Sequence, residues 1–264
     1  MTELRLIQVD AFADAPFTGN PAAVMPLDAW LPDETLQAIA MENNLSETAF
    51  TVPDATGDAD YELRWFTPTV EVALCGHATL ASGHVLIGDR DAIRFRTCHA
   101  GVLAVARDGD TLTLDLPATR VVPADGADVL AALGLPAAPY FLSHEGAERT
   151  AIVLLDSESA VRALDPDMAA LRHIDIMAIA TAPGQAPHDV VSRVFVPAWG
   201  VDEDPVTGSA HSALTPFWAA RLGRDGFTAF QASRRGGRVD CRLAGDRVRL
   251  GGRCLTVIEG VMRF

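Results

Sequence analysis

The amino-acid sequence predicts a mixed α/β protein made of two similar lobes, each with several strands curled around one apolar helix. The first observation is an internal repeat, because features of the first half return in the same order in the second. Arg64–Pro68 (RWFTP) is matched by Arg193–Pro197 (RVFVP), and Gly208 follows Gly76 by 132 residues, half of the 264-residue chain. The second observation is that each of these glycines starts a segment apolar nearly all round, as buried helices are. Such an ordered repeat predicts two homologous lobes. The two helices are expected at about 77–87 and 209–222.

The boundary between the lobes is expected where hydrophobic periodicity is lost, from Pro117 to Asp125. We therefore predict a first lobe over 1–117 and a second lobe over 118–253. The last strand, about 254–264, is expected to return to the first lobe and tie the two together.

Alternating and apolar runs predict the elements of the first lobe. Gly19-Asn20-Pro21 is expected to be a turn, and Asp108-Gly109-Asp110 a hairpin turn between two strands. The predicted strands are 4–10, 22–25, 49–52, 61–66, 95–106 and 111–116, with helices from 33 to about 41 and from 78 to about 87.

In the second lobe the same order of elements is expected. Asp165-Pro166-Asp167 is predicted to open a helix, as Pro32-Asp33 does in the first lobe. The predicted strands are 150–155, 190–197, one near 248–250 and the last strand, with an apolar helix over 212–222.

Composition limits the classes of protein. The net charge of −14 disfavours nucleic acid and anionic membranes as partners, and no apolar run reaches the roughly 18 residues of a membrane span. The first nine residues have a strand pattern and not the long apolar region of a signal peptide. The four cysteines show no metal-ligand spacing, and no glycine-rich phosphate loop is present. We expect a cytoplasmic protein with reduced thiols and without a metal site.

A polar strand-to-helix turn, Asp202–His211, is the most distinctive stretch of the chain. Thr207, Gly208 and Ser209 lie where a helix leaves its first N–H groups unpaired, and those groups favour an anion. Asp204 stands directly upstream as a candidate base. An oxyanion site beside a base suits proton transfer next to a carbonyl, while the alternative is an ordinary acidic helix cap.

Candidate groups in the first lobe each have a structural alternative. Glu47 follows Ser46 between a helix and a strand, where a carboxylate is often simply solvated. His77 at the second helix start is either a cap or a proton carrier. Cys75 is either a nucleophile or a small buried hydrophobe. His211 lies deeper in its helix and is expected in the core or behind the site.

Seven motifs together resemble the phenazine biosynthesis PhzF-like family, whose fold is that of diaminopimelate epimerase. They occur in family order over nearly the whole chain. They are Asp10–Phe12 with Phe17–Val24, Ser46–Phe50, Arg64–Pro68, Cys75–Leu80, Glu203–Ala210 and Gln231–Gly237.

The resemblance implies a cofactor-free isomerase that moves a proton within a small cyclic or amino-acid-like carboxylate, in a cleft between the lobes. The best-known family activity does this within trans-2,3-dihydro-3-hydroxyanthranilate. By carry-over, Glu47 is the general base and then the acid. The expected partners are His77, Asp204 and Ser209 as catalytic side chains, Gly76 and Gly208 as backbone donors, and Thr207, Asn20 and Ser46 as substrate contacts.

Three other functions remain open from sequence. Relatives of this fold that racemise amino acids use two cysteines, and no cysteine lies between 199 and 212 to pair with Cys75. That disfavours a two-thiol racemase, but an epimerase or a lyase acting through the same base is an alternative. A non-catalytic small-molecule binding protein is another. The expected partners are a small carboxylate substrate and, as an option, a second copy of the chain.

Overall fold

A computed structural model describes residues 1–143 and 149–264, which form two compact units. The first unit comprises 1–115 and 251–264, and the second comprises 116–250. The sequence predicts the boundaries of its two lobes at 117 and 253.

The first unit is mostly strands, with two helices. Its first strand, β1, pairs antiparallel with the last strand of the chain, β18, so the C-terminal segment belongs to this unit. The elements are β1 (Glu3–Ala11), β2 (Asn20–Pro26), α1 (Asp33–Asn43), β3 (Glu47–Pro53), β4 (Tyr61–Phe66), β5 (Glu71–Val72), α2 (Gly76–Leu86), β6 (Ala92–Thr97), β7 (Val102–Asp108), β8 (Thr111–Pro117) and β18 (Cys254–Arg263).

The strands of the first unit pair in one continuous series. β1 and β2 are antiparallel, β2 and β3 parallel, and β3 and β4 antiparallel. β4 then pairs antiparallel with β5 and parallel with β6, and β6, β7 and β8 continue antiparallel.

The second unit contains the remaining elements of the chain. They are β9 (Val121–Pro123), α3 (Ala127–Ala132), β10 (Tyr140–Ser143), β11 (Thr150–Leu154), α4 (Glu158–Arg162), α5 (Met168–Leu171), β12 (Met177–Pro183), β13 (Val190–Val196), a 3₁₀ turn (Pro197–Trp199), β14 (Val201–Asp204), α6 (Gly208–Leu222), β15 (Gly226–Gln231), β16 (Gly237–Ala244) and β17 (Arg247–Gly252).

Strand pairing in the second unit repeats that of the first. β9, β10 and β11 are antiparallel neighbours, β11 and β12 are parallel, and β12 and β13 are antiparallel. β13 then pairs antiparallel with β14 and parallel with β15, which is antiparallel to β16. Because the order and the directions agree step by step, the two units share one topology, as the sequence repeat predicts.

α2 and α6 are the long buried helices of the two units. α2 packs against β1, β2, β3, β7 and β18, and α6 packs against β11 and β16. Gly83 permits a close approach, because a Cβ there would lie 2.6 Å from Val105 Cγ1. Buried hydroxyls along α2 bond back to its own carbonyls, with Ser82 Oγ donating to Ala78 O at 2.8 Å. No helix among the described residues is both long and apolar enough to cross a bilayer.

Two local predictions are wrong. Residues 95–106 are parts of two strands, because Gly101 at φ 71° closes a turn in which Thr97 Oγ1 donates to its carbonyl. Asn20 and Pro21 are strand residues, because β1 pairs with them and Pro21 needs no N–H there. The helix predicted to open at Asp165–Asp167 is present as α5, which has four residues and Asp167 as its cap.

Candidate functional site

The positions of Glu47 and Asn20 follow from the register of two parallel strands. Glu47 is the first residue of β3 and lies opposite Ala22 of β2, two residues after Asn20. Parallel strands start at the same edge of a sheet, so both polar side chains lie at that edge. The Asn20 side chain is buried, and Glu47 is largely buried, with 16% of its side chain exposed.

His77, the second residue of α2, connects this pair. Its Nε2 lies 3.1 Å from Glu47 Oε2, and its Nδ1 lies 3.1 Å from Asn20 Nδ2 and 3.5 Å from Cys75 Sγ. The Glu47 contact has the length of an ion pair, although neither atom has a well-directed hydrogen bond to any described residue. The structure therefore brings together Glu47, His77 and Asn20 as one buried group.

Burial and neighbouring charge act on His77 in opposite directions. Burial alone would lower its pKa, but negative charge on Cys75 and Glu47 raises the pKa well above 6.5. Cys75 can raise the pKa of His77 only when it is a thiolate. Burial, and then the negative charge of Glu47, raise the pKa of the Cys75 thiol itself to about 11. Near neutral pH the thiol is therefore neutral, and Glu47 is the neighbouring negative charge that favours the protonated form of His77. A neutral thiol is a poor base and a poor nucleophile.

In the second unit, Asp204 and Thr207 form a hydrogen-bonded pair at the approach to α6. Thr207 Oγ1 donates a short hydrogen bond to Asp204 Oδ2. Gln231 is fully buried at the end of β15 and holds the turn between Asp204 and Thr207 by two hydrogen bonds. Its Oε1 accepts the Thr207 N–H at 2.9 Å, and its Nε2 donates to Asp204 O at 2.8 Å. Ser233 Oγ adds a bond to Pro205 O at 2.8 Å. In the sequence Gln231 is the first residue of the Gln231–Gly237 motif, and no local pattern indicates its contacts with Thr207 and Asp204.

An arginine clamp precedes the helix start in both units. Arg193 Nε and Nη2 donate to the two oxygens of Glu203 at 2.8 and 2.9 Å, next to Asp204. Arg64 holds Glu71 in the same two-pronged way at 2.7 and 2.6 Å. Each guanidinium also lies over a phenylalanine ring two residues along its own strand. The clamps fix the short strands β5 and β14 that lead to α2 and α6.

The two helix starts present backbone N–H groups, as the sequence predicts. Gly76 and Gly208 are buried first residues, and neither preceding residue, Cys75 or Thr207, caps its helix by a side-chain bond within the described parts of the chain. First-turn N–H groups without such caps favour an anion.

The remaining predicted site residues lie near these groups. Ser209 is the half-buried second residue of α6, in the topological position that His77 has in α2, and Ser46 directly precedes β3. His211 is buried, with Nδ1 2.7 Å from Thr207 O, and burial lowers its pKa to about 4. It is a neutral core residue behind the Thr207 turn. The roles of Ser46 and Ser209 stay predictions.

One group of side chains has the composition of a metal site. Ligand atoms of Glu47, Cys75 and His77 all lie within 4.8 Å of one another. Spacing along the sequence gave no sign of this, because Glu47 is distant from the other two and reaches them only through the fold.

A mixed α/β fold with two repeated units, each presenting a polar helix start, is shared with known isomerases and epimerases. The model of the phenazine biosynthesis-like protein family (PhzC-PhzF) matches residues 9–260. The chain is 49% identical over 267 residues to an uncharacterized isomerase of Pseudomonas aeruginosa, covering 99% of this chain and 100% of that protein. The chain therefore belongs to the phenazine biosynthesis-like PhzC-PhzF family.

Solved structures agree with this assignment. The crystal structure of a PhzF-family phenazine biosynthesis protein from Enterococcus faecalis has a TM-score of 0.89 and 39% identity, with 100% of both chains covered. A hydroxyproline epimerase from Agrobacterium vitis, crystallised with trans-4-hydroxy-L-proline, has a TM-score of 0.63 at 16% identity over 98% of this chain and 92% of its own. That second likeness concerns the fold alone. Taken together, the comparisons support an enzyme of the isomerase or epimerase type.

Proposed function

We propose that the protein is a cofactor-independent isomerase that moves a proton between carbons of a small cyclic or amino-acid-like carboxylate. One observation carries the proposal: Glu47 Oε2 is buried beside His77 Nε2 at 3.1 Å, without a hydrogen-bond partner among the described residues. A carboxylate oxygen in that state can accept a proton from a substrate carbon.

The proton transfer follows from the charges of the pair. Glu47 takes a proton from a carbon whose neighbouring group can delocalise the electron pair, and negative charge develops on the substrate. As Glu47 becomes neutral, the negative charge that develops on the substrate replaces the carboxylate charge beside His77, and the protonated imidazole can stabilise it. Glu47 then returns the proton to a second carbon, so the same group is base and acid.

Binding of the substrate carboxylate is assigned to the helix starts. Gly76 heads α2 in the unit that carries Glu47, and its N–H and the helix dipole favour an anion there. With a net charge of −14, the protein would repel an anion at long range, so a local site of this kind is needed. We also propose orienting and proton-relaying roles for Asp204, Thr207, Ser209 and Gly208 at the start of α6.

The chemistry favours an isomerase over a two-thiol epimerase and over a binding protein. A two-thiol epimerase needs ionisable cysteines, but Cys75 is protonated near neutral pH and Thr207 occupies the corresponding position before α6. A binding protein has no use for a buried carboxylate beside an imidazolium.

Exchange in D₂O tests the proposal. Trans-2,3-dihydro-3-hydroxyanthranilate, L-proline and trans-4-hydroxy-L-proline are incubated with the enzyme in D₂O, and products are followed by ¹H NMR and mass spectrometry. An isomer of unchanged composition, apart from exchanged deuterium, supports the proposal. Loss of water identifies a lyase, inversion at one carbon identifies an epimerase, and either result contradicts it. Glu47→Gln serves as the blank, since it keeps shape but cannot take the proton.

A further inference from the structure

Three potential metal ligands converge around the start of α2. Glu47 offers a carboxylate, His77 an imidazole and Cys75 a thiol, and one ligand atom from each lies within 4.8 Å of the other two. Only 4% of the His77 side chain is exposed. Its Nε2 and Glu47 Oε2 are buried and face each other at 3.1 Å, without a further hydrogen-bond partner among residues 1–143 and 149–264. A cation placed at these two atoms would therefore displace only their mutual contact.

We propose that Glu47, His77 and Cys75 bind one zinc-class divalent cation, which competes with substrate for the base. Sulfur, imidazole nitrogen and carboxylate oxygen are the donor set of zinc in proteins. A hard cation such as Mg²⁺ prefers oxygen ligands, including water, instead. Three protein ligands leave a fourth tetrahedral position for water or for a substrate carboxylate.

The present separations are close to those that zinc needs. Zinc bonds of about 2.0–2.3 Å place neighbouring tetrahedral ligands roughly 3.3–3.7 Å apart. His77 Nε2 and Glu47 Oε2, at 3.1 Å, are slightly closer together than this range, so a small separation of the two atoms would admit the cation. Cys75 then has to turn its sulfur from Nδ1 toward the cation by a side-chain rotation.

Asn20 contacts the ring nitrogen of His77 that does not face Glu47. With Nε2 on the cation, Nδ1 of His77 keeps its 3.1 Å contact with Asn20, which orients the ring as outer partners of metal-binding histidines do. The amide must present its oxygen to the Nδ1–H in that state. Binding replaces the thiol proton and one imidazolium proton, and both go to bulk water.

The inhibitory consequence rests on the proposed function, but metal binding does not. A cation on Glu47 Oε2 occupies the lone pair that would accept the substrate proton. Turnover should therefore fall with occupancy, and EDTA should restore it.

The experiment measures binding directly, with Co²⁺ as the spectroscopic probe and Zn²⁺ by titration calorimetry. Cys98→Ser is the background, because Cys98 is an exposed thiol next to His99 and would bind metal adventitiously. Cys75→Ala removes the sulfur ligand. Cys254→Ala is the matched control, a buried thiol in β18 outside the cluster.

The expected result is one equivalent of Co²⁺ with a near-ultraviolet thiolate-to-cobalt band in the background and in the Cys254→Ala control. The band should vanish in Cys75→Ala, and Glu47→Gln should raise the Zn²⁺ dissociation constant by about tenfold or more. A band that persists in Cys75→Ala, or no stoichiometric binding in the background, would overturn the proposal. If Cys75→Ala does not fold, judged by circular dichroism, the Glu47→Gln dissociation constant decides. Stoichiometric binding without inhibition would keep the metal site and refute Glu47 as the base.

Discussion

His77 Nε2 and Glu47 Oε2 lie 3.1 Å apart although the two residues are 30 positions apart in sequence, and the contact joins the start of β3 to the start of α2. The carboxylate keeps the imidazole protonated, and the imidazolium can stabilise negative charge once the carboxylate has taken a proton. Glu47 thus favours the charged form of His77, and that charged form assists the proton transfer to Glu47. The following predictions concern this pair and the contacts that support the site.

Glu47→Gln should lower kcat by about 10²–10⁴, the usual contribution of an acid–base group. The amide keeps the size of the side chain, so KM should change much less. Glu34→Gln, an exposed residue of α1, is the matched control and should leave kcat unchanged. Steady-state kinetics on the substrate found by D₂O exchange measures both. A fully active Glu47→Gln would remove Glu47 from the mechanism.

His77→Asn should also lower kcat, and less than additively with Glu47→Gln, because both groups serve one transfer. Asn keeps a polar side chain near Asn20 but cannot carry the positive charge. The measurement is a double-mutant cycle in kcat. Strictly additive effects would show that the two residues act in separate steps.

The sequence predicts the framework of this site better than its contacts. β4 matches its predicted range, 61–66, because a stretch in which polar and apolar residues alternate ends at Thr67-Pro68, and the starts of α2 and α6 are marked by glycine. The strand pairing shows which positions of the two units are equivalent, and sequence periodicity alone does not show this. In the second unit Met177 occupies the position equivalent to Glu47, and in the first unit Val72 occupies the position equivalent to Asp204.

The two units have therefore diverged in chemistry while keeping their topology. The proposed base, Glu47, has no carboxylate counterpart in the second unit, and its pairing with His77 and Asn20 depends on long-range strand register. Gln231 illustrates the same limit, since its bonds to Thr207 and Asp204 cross 24 and 27 residues. Periodicity and propensity describe local structure, and such contacts appear only when the chain is folded.

Arg193→Gln should destabilise the protein by about 2–4 kcal/mol, because it leaves the largely buried Glu203 without its partner. It should also lower kcat, since Glu203 is adjacent to Asp204. Arg172→Gln is a close control: it removes the neighbouring but exposed pair with Asp202, which should be worth less than about 1 kcal/mol. Urea unfolding and kcat measure both. Equal effects would show that the Arg193 clamp has no special role.

Cys75→Ala should lower kcat less than about tenfold, far less than Glu47→Gln. A thiol whose pKa is about 11 is protonated near neutral pH and does not serve as the base there. Iodoacetamide labelling at pH 7 gives an independent check, because a neutral buried thiol should react slowly. Loss of activity in Cys75→Ala with an active Glu47→Gln would return the enzyme to thiol-based epimerase chemistry.

His211 should make the protein sensitive to acid. In the unfolded chain its pKa is near 6.5, whereas burial lowers the folded-state pKa to about 4, so the folded ring resists protonation. Its contribution to stability is therefore complete above pH 6.5 and is lost as the pH falls from 6.5 toward 4. The gap between the two pKa values corresponds to about 3 kcal/mol.

His211→Asn places an amide N–H near Thr207 O without a titrating group. The stability of wild type relative to this variant, from urea unfolding at pH 7.5, 5.5 and 4.5, should fall toward acid. A difference independent of pH would mean that His211 does not remain neutral in the folded protein.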